Sequence, residues 1–217
     1  MAPPDRRNRP HTAIVAAFAV AITAAALAEY PKPSLYPVSW ELGFTHGTPR
    51  RIVVDVPGET VPQAYWYMTY TVTNKTDREQ MFLPVFELLT RDGQVIRSDN
   101  KIPAKVFDVI KSRERNQFLE PFTKISGELR IGEDQARDGV AIWPELDSRM
   151  GRFSVFVSGL SGEAVVMQDD SGAVMKDKSG EPIILRKTLE LKYHIRGDEV
   201  YPGEDEVNKT TQVWVMR

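Results

Sequence analysis

The sequence predicts a mainly β fold, an antiparallel immunoglobulin-like β-sandwich with one helical insertion near residues 102–114. Three observations predict it. Many strand-like runs are separated by turn signals every ~8–12 residues, the longest runs alternate with period 2, and one segment has helical spacing. A parallel βαβ arrangement would need helices between the strands, and only one helix is apparent. No internal repeat is apparent either.

Residues 1–28 have the order of parts of a secretory signal peptide. Three arginines precede an apolar run over 12–26, and a small-x-small site follows at 26–28, so cleavage is predicted before Glu29. The alternative is an uncleaved membrane anchor, because the apolar stretch 12–28 has 17 residues, at the lower end of the roughly 17–25 that span a bilayer. The expected location is therefore the periplasm or the cell surface, or the membrane if the signal is retained.

Length and composition indicate one exported domain. Cleavage after residue 28 leaves 189 of the 217 residues. At roughly 100–200 residues per domain, this predicts a short Pro-rich linker at 29–37 and one sandwich domain over 38–217. The chain has no cysteine, so its core must supply the stability that small exported domains often take from disulfides. A cysteine-free exported protein of this size is typical of a bacterial envelope.

The charge balance excludes nucleic acid as the expected partner. Removing the three arginines and one aspartate of residues 1–28 from the 28 basic and 30 acidic residues leaves 25 against 29. Because phosphate neutralisation needs clustered Lys and Arg, and no long basic run exists after residue 28, no nucleic-acid surface is predicted.

The clearest strand is predicted over 64–74. Trp66 and its period-2 neighbours fall on one face, and Tyr65 and Tyr67 fall on the other. If Trp66 points into the core, the two tyrosines either form an exposed aromatic row or lie beneath the helix near 102–114.

The other strand-like runs follow the same reasoning. They are 38–44, 51–56, 80–90, 95–97, 118–131, 139–143, 152–157, 163–168, 183–196 and 213–216. Asp92-Gly93, between two apolar runs, is the strongest hairpin signal in the chain. The run at 183–196 alternates cleanly between apolar and polar residues, which is typical of an antiparallel sheet with one solvated face.

One segment has helical rather than strand spacing. Ile102, Val106 and Ile110 recur at intervals of four, and Pro103 is placed for a first helical turn. This predicts one amphipathic helix that bridges two strands. A domain boundary near 132–138 is the alternative to a single domain.

The sequence contains no recognisable catalytic motif. It has no cysteine nucleophile, and Ser161 lacks the Gly-x-Ser-x-Gly spacing of a nucleophile elbow. His46 and His194 are far apart and do not form a zinc signature. No cofactor is therefore predicted, and the chain is expected not to be an enzyme, with a hydrolase that uses paired carboxylates as an alternative.

An acidic segment near the C-terminus is the weak candidate for a metal site. Its carboxylates suit Ca²⁺, although their spacing does not match a calcium-binding loop and a solvated acidic loop explains them more simply. These residues are Asp198, Glu199, Glu204, Asp205 and Glu206.

Aromatic side chains are the candidate interaction residues. Tyr65 and Tyr67, if exposed, would give a large contact area for a glycan or a protein. Trp214 lies in the apolar segment that follows the acidic stretch, where it belongs to a final strand or to a docking segment.

Three stretches carry a resemblance to a known family. They are AYWYMTY at 64–70, GEDQARDGVAIW at 132–143 and RGDEVYP at 196–202. Together they resemble an uncharacterised family of exported proteins from planctomycete-type bacteria. The resemblance implies export and a bacterial source, and it brings no catalytic residues.

These observations favour an exported, non-catalytic protein that binds another protein or helps to build an envelope or surface assembly. A carbohydrate-binding module that uses exposed aromatic residues is the first alternative, with a glycan as ligand. A hydrolase that uses acidic clusters is the second. Membrane contact is expected only through an uncleaved N-terminus.

Overall fold

The computed structural model describes residues 30–146, 150–195 and 206–217, and these residues form a mainly β fold. Within them lie thirteen strands and two helices. The strands are β1 (Gly43–His46), β2 (Arg50–Val54), β3 (Gln63–Asn74), β4 (Gln80–Phe82), β5 (Val85–Leu89), β6 (Val95–Arg97), β7 (Leu119–Glu120), β8 (Gly127–Leu129), β9 (Gly132–Pro144), β10 (Arg152–Ser158), β11 (Ala164–Val166), β12 (Ile184–Ile195) and β13 (Val207–Met216). The helices are α1 (Ala104–Glu114) and α2 (Phe122–Ile125). Neither helix in the described ranges is long and apolar enough to cross a bilayer.

The first sheet is built around the long antiparallel pair β3 and β9, in which Trp66 lies opposite Trp143. Strands β1 and β2 share the other edge of β3, each pairing with a different half of it. Strand β7 adds to β9 in parallel, with Leu119 opposite Asp138.

The second sheet has β12 next to β10, followed by β5 and β6. Strands β11 and β13 share the other edge of β12, β11 at its start and β13 along the rest. The hairpin predicted at Asp92-Gly93 is confirmed, since it joins β5 to β6 and Gly93 adopts a φ of 83°. A separate two-stranded ribbon pairs β4 with β8.

The main core lies between the two sheets. One face of β3 supplies Trp66 and Tyr70, which contact rings of the second sheet. The Trp66 and Phe153 centroids are 5.9 Å apart, and those of Tyr70 and Phe86 are 4.7 Å apart. The two sheets thus face each other across a shared apolar layer, an arrangement consistent with a β-sandwich.

A second core cluster covers the outer face of the first sheet. Val106 and Ile110 of α1 pack over β3 and β9, and both side chains are fully buried. The helix predicted near 102–114 is therefore confirmed, with Pro103 just before its first residue. Because β3 is buried on both faces, it carries large side chains at every position from 65 to 68.

Two predicted strands are divided in the structure. The run 80–90 is interrupted at Pro84, which lacks the N–H that a continuous ladder needs. The prediction of one strand over 118–131 is wrong, because Pro121 precedes the first turn of α2, and the short strands β7 and β8 flank that helix.

Strand β9 is longer than the sequence predicts. Its first half, 132–138, is polar, and Arg137 and Asp138 pair with Val72 and Thr71 of β3. Glu133 and Asp134 are exposed, and the other residues of this half are half-buried.

Candidate functional site

Tyr65 and Tyr67 lie beneath α1 and do not form an exposed aromatic row. They are 6% and 1% exposed and belong to the cluster that contains Val106 and Ile110. The Tyr67 hydroxyl donates to Glu114 Oε1 at 2.6 Å. Burial, followed by the nearby Glu114 carboxylate, raises the pKa of Tyr67 to about 12. The exposed ring surface that a glycan would need at these two positions is therefore absent.

Trp214 lies in β13, so the final strand predicted near residues 213–216 is confirmed and begins earlier, at Val207. Its ring is half-buried against the main core, opposite Leu189 of β12. The Lys187 ammonium lies 5.2 Å from the centre of the Trp214 ring. Trp214 thus belongs to the edge of the core rather than to a free docking segment.

Four of the five acidic candidates for a metal site, Asp198, Glu199, Glu204 and Asp205, lie outside the described residues. Glu206 is described, is exposed, and directly precedes β13. Over the described ranges, no group of three or more His, Cys, Asp or Glu side chains is arranged to hold a metal ion. The calcium site at 198–206 therefore stays a prediction.

A buried ion-pair cluster lies at one end of the second sheet. Lys187 of β12 is only 2% exposed, and its Nζ donates to Glu41 Oε1 at 2.5 Å and lies 3.1 Å from Glu163 Oε2. Burial alone lowers the pKa of Lys187, but the two carboxylates outweigh it and raise that pKa overall. Burial alone raises the pKa of Glu163, but the Ser34 amide and Lys187 outweigh it and lower that pKa overall.

This cluster holds the N-terminal segment against the second sheet. The Ser34 N–H donates to Glu163 Oε1 at 2.7 Å, and Leu42 N–H donates to the Leu160 carbonyl at 2.9 Å. The Pro-rich segment predicted as a linker is therefore anchored at Ser34, although residues 30–37 form no strand.

An exposed arm, residues 164–184, projects from the start of β12. Within it, only Met167 and Ile183 are half-buried, and every other residue is exposed. Its exposed apolar side chains are Val165, Val166, Val174, Met175 and Ile184. The arm thus adds almost nothing to the core of the described chain.

The arm is a three-way junction of one β-ladder and two isolated β-bridges. The ladder contains the pair Val166–Ile184, and the bridges join Gln168 to Val174 and Lys176 to Pro182. A ring of backbone hydrogen bonds, each 2.9 Å long, closes the junction at Met167, Met175 and Ile183. Met175 N–H donates to Met167, Ile183 N–H donates to Met175, and Met167 N–H donates to Ile183.

The turns of the arm are stabilised by their own aspartates. Asp169 Oδ1 accepts hydrogen bonds from the Ser171 N–H at 2.9 Å and the Ser171 hydroxyl at 2.6 Å, and Asp177 accepts from Ser179 in the same way. These bonds lower the pKa of both aspartates. The carboxylates are therefore used in turn geometry, as Asp in hairpin turns commonly is.

Sequence reasoning missed the junction although the signal is visible. Met167-x-Asp-x-Ser-Gly recurs eight residues later as Met175-x-Asp-x-Ser-Gly, and the two copies form the two hairpins. The conclusion that no internal repeat exists is therefore wrong at this scale. The repeat is easily read as two unrelated turns, because Asp, Ser and Gly are the usual turn residues.

No protein-family model, curated protein or solved structure matches the chain.

Proposed function

We propose that this chain is an exported, non-catalytic protein of the bacterial cell envelope that binds another protein or helps to build a surface assembly. The exposed arm is the observation that carries the proposal. The site for the partner is the apolar surface of the arm, centred on Val174 and Met175.

The arm favours a binding role because its backbone is hydrogen-bonded into defined turns while almost all of its side chains are exposed. Fixing a residue's backbone costs roughly 1–2 kcal/mol, and burial of apolar area is the usual compensation. Val174 and Met175 remain 45% and 38% exposed, so little of that compensation comes from the rest of the described chain. Clustered exposed apolar side chains on an ordered segment are typical of interaction sites.

The strand order supports an immunoglobulin-like form of the sandwich. With β1 and β2 together as strand A, β3 and β9 take the places of B and E in one sheet. Strands β12, β10, β5 and β6 then take the places of G, F, C and C′ in the other. Such sandwiches host many functions, so the proposed binding role rests on the arm and not on the fold.

Export is supported by residues 1–28, which end in a small-x-small site before Glu29. The resemblance to exported proteins of planctomycete-type bacteria points the same way. We place the protein in the periplasm or on the cell surface.

The test compares two charge-matched double variants of the tagged full-length protein, each purified from its native envelope. Val174→Asp with Met175→Asp alters the arm, and Thr211→Asp with Gln212→Asp adds the same charge at exposed positions of β13. Mass spectrometry quantifies co-purifying proteins and identifies the first residue of the chain. Thermal unfolding checks that both variants are folded.

We expect a stoichiometric partner with the wild type and the β13 variant, at least a tenfold loss with the arm variant, and a chain that begins at Glu29. Equal capture by both variants would remove the arm as the binding site. A chain that begins at Met1 in the membrane would replace the exported protein with an anchored one.

A further inference from the structure

A cavity lies between α1 and the first sheet, away from the arm. Its volume is about 330 Å³, near the lower end of the roughly 300–1,000 Å³ that ligand pockets occupy. The walls are formed mainly by Ile102, Phe107, Phe122, Val140 and Ile142. Ala104, Asp108 and Thr123 also line it and are exposed, so the cavity opens to solvent.

Asp99 is a half-buried acidic residue that lines this cavity. Its backbone N–H donates to the Ile142 carbonyl at 2.9 Å, which fixes the residue against β9. The Ser98 hydroxyl donates to Oδ2 at 2.6 Å, and no cation of the described chain forms an ion pair with the carboxylate. A half-buried charge without a counter-ion is costly, and a bound cation would reduce that cost.

The chain holds Asp99 in this position at the expense of backbone strain. Asp99 and Lys101 have φ values of 59° and 57°, in the left-handed region that non-glycine residues seldom adopt. Aspartate tolerates this conformation better than most residues. Asp99 is thus held at the cavity by a hydrogen bond to β9 in an unusual conformation.

From the shape and charge of this cavity we infer that it binds a small organic cation, an ammonium group joined to an aromatic or aliphatic body. The ammonium pairs with the Asp99 carboxylate, and the apolar body packs against Phe107 and Phe122. A neutral or anionic molecule of the same shape leaves the Asp99 charge unpaired or repelled. The inference does not depend on the proposed function, because the arm extends from the second sheet.

Protonation of Asp99 provides an independent readout. Burial, opposed in part by the Ser98 hydroxyl, raises the pKa of Asp99 to about 6. The other titratable groups near it are Asp108 at the cavity rim, Lys101 on the same loop and Tyr70 of β3, whose own pKa is raised mainly by burial and then by Asp99. Binding of a cation should therefore weaken as the pH falls from 7.5 to 5.

The test titrates three probes of one shape into the full-length protein and follows backbone amide NMR shifts. The probes are 2-phenylethylammonium, neutral 2-phenylethanol and anionic 3-phenylpropanoate. Asp99→Asn removes the charge and keeps a residue that accepts the left-handed conformation. Ala104→Phe fills the mouth of the cavity, and Asp92→Asn at the tip of the β5–β6 hairpin is the matched control.

We expect the ammonium probe to shift amides around Ile102 and Phe107, and to bind at least tenfold more tightly than the other two probes. Asp99→Asn and Ala104→Phe should each weaken it at least tenfold, and Asp92→Asn should not. The inference is overturned if no probe binds at millimolar concentration, if the anionic probe binds as well, or if Asp99→Asn has no effect.

Discussion

Lys187 and Asp99 are two poorly hydrated charges, and they differ in whether they have a partner. Lys187 lies between Glu41 and Glu163, and each carboxylate is within ion-pair distance of its ammonium. Asp99 has only the Ser98 hydroxyl within the part of the chain that the structure describes. We therefore expect the two residues to affect stability in opposite directions.

Replacing Lys187 by methionine should lower the free energy of unfolding by about 3 kcal/mol at pH 7, because Glu41 and Glu163 would share a buried site without a cation. Urea denaturation measures the change. The control is Lys192→Met on the same strand, where the lysine side chain is 48% exposed and a change below about 0.5 kcal/mol is expected. Equal effects of the two substitutions would show that the cluster is not stabilising.

Replacing Asp99 by asparagine should instead stabilise the protein above pH 6. The folded-state pKa of about 6 lies above the ordinary 3.8, so the unfolded chain loses this proton first as the pH rises. The contribution of Asp99 to the free energy of unfolding therefore falls by about 2 kcal/mol as the pH rises from about 4 to about 6. Urea denaturation of Asp99→Asn at pH 4 and pH 7.5 should show a gain only at the higher pH, and a gain of equal size at both would contradict the account.

At the scale of elements, α1 makes the first sheet a fully buried layer. Periodicity predicted both α1 and β3, because each has a long segment whose side chains follow one repeat. Periodicity did not decide between exposure and burial of Tyr65 and Tyr67, because that depends on a helix about forty residues later in the chain. The first half of β9 pairs with β3 but contains few apolar residues. No alternating apolar pattern therefore indicates a strand there.

Replacing Ile110 by alanine should destabilise the protein by about 3 kcal/mol, because Ile110 is fully buried between α1 and the sheet. An isolated helix of 11 residues is marginal in water, so α1 depends on this contact. Urea denaturation gives the energy, and hydrogen exchange shows whether the α1 amides lose protection first. Lys105→Ala, on the exposed side of the same helix, should change stability by less than about 0.5 kcal/mol.

At the scale of the whole molecule, residues far apart in sequence form the features that matter most. Lys187 and Glu41 are 146 positions apart, so no local pattern indicates their pairing. The aromatic side chains that the sequence selects as interaction candidates, Tyr65, Tyr67 and Trp214, lie in or against the core instead. The arm is the exception, because its eight-residue repeat is local and could have been recognised.

Replacing residues 167–183 with an Asn-Gly turn should leave the rest of the fold intact. Val166 and Ile184 already pair across β11 and β12, so a two-residue turn can join them. Because no residue in the removed segment is fully buried, we expect the free energy of unfolding to change by less than about 1 kcal/mol. Loss of cooperative unfolding would show that the arm is part of the structural core.

Site-specific crosslinking in the native cell tests the binding role of the arm most directly. A photoreactive phenylalanine analogue is placed at Met175 in the arm and, in a separate strain, at exposed Thr211 of β13. We expect position 175 to crosslink to one protein in the envelope and position 211 to give no such product. The absence of any crosslink at position 175, or the same products from both positions, would contradict it.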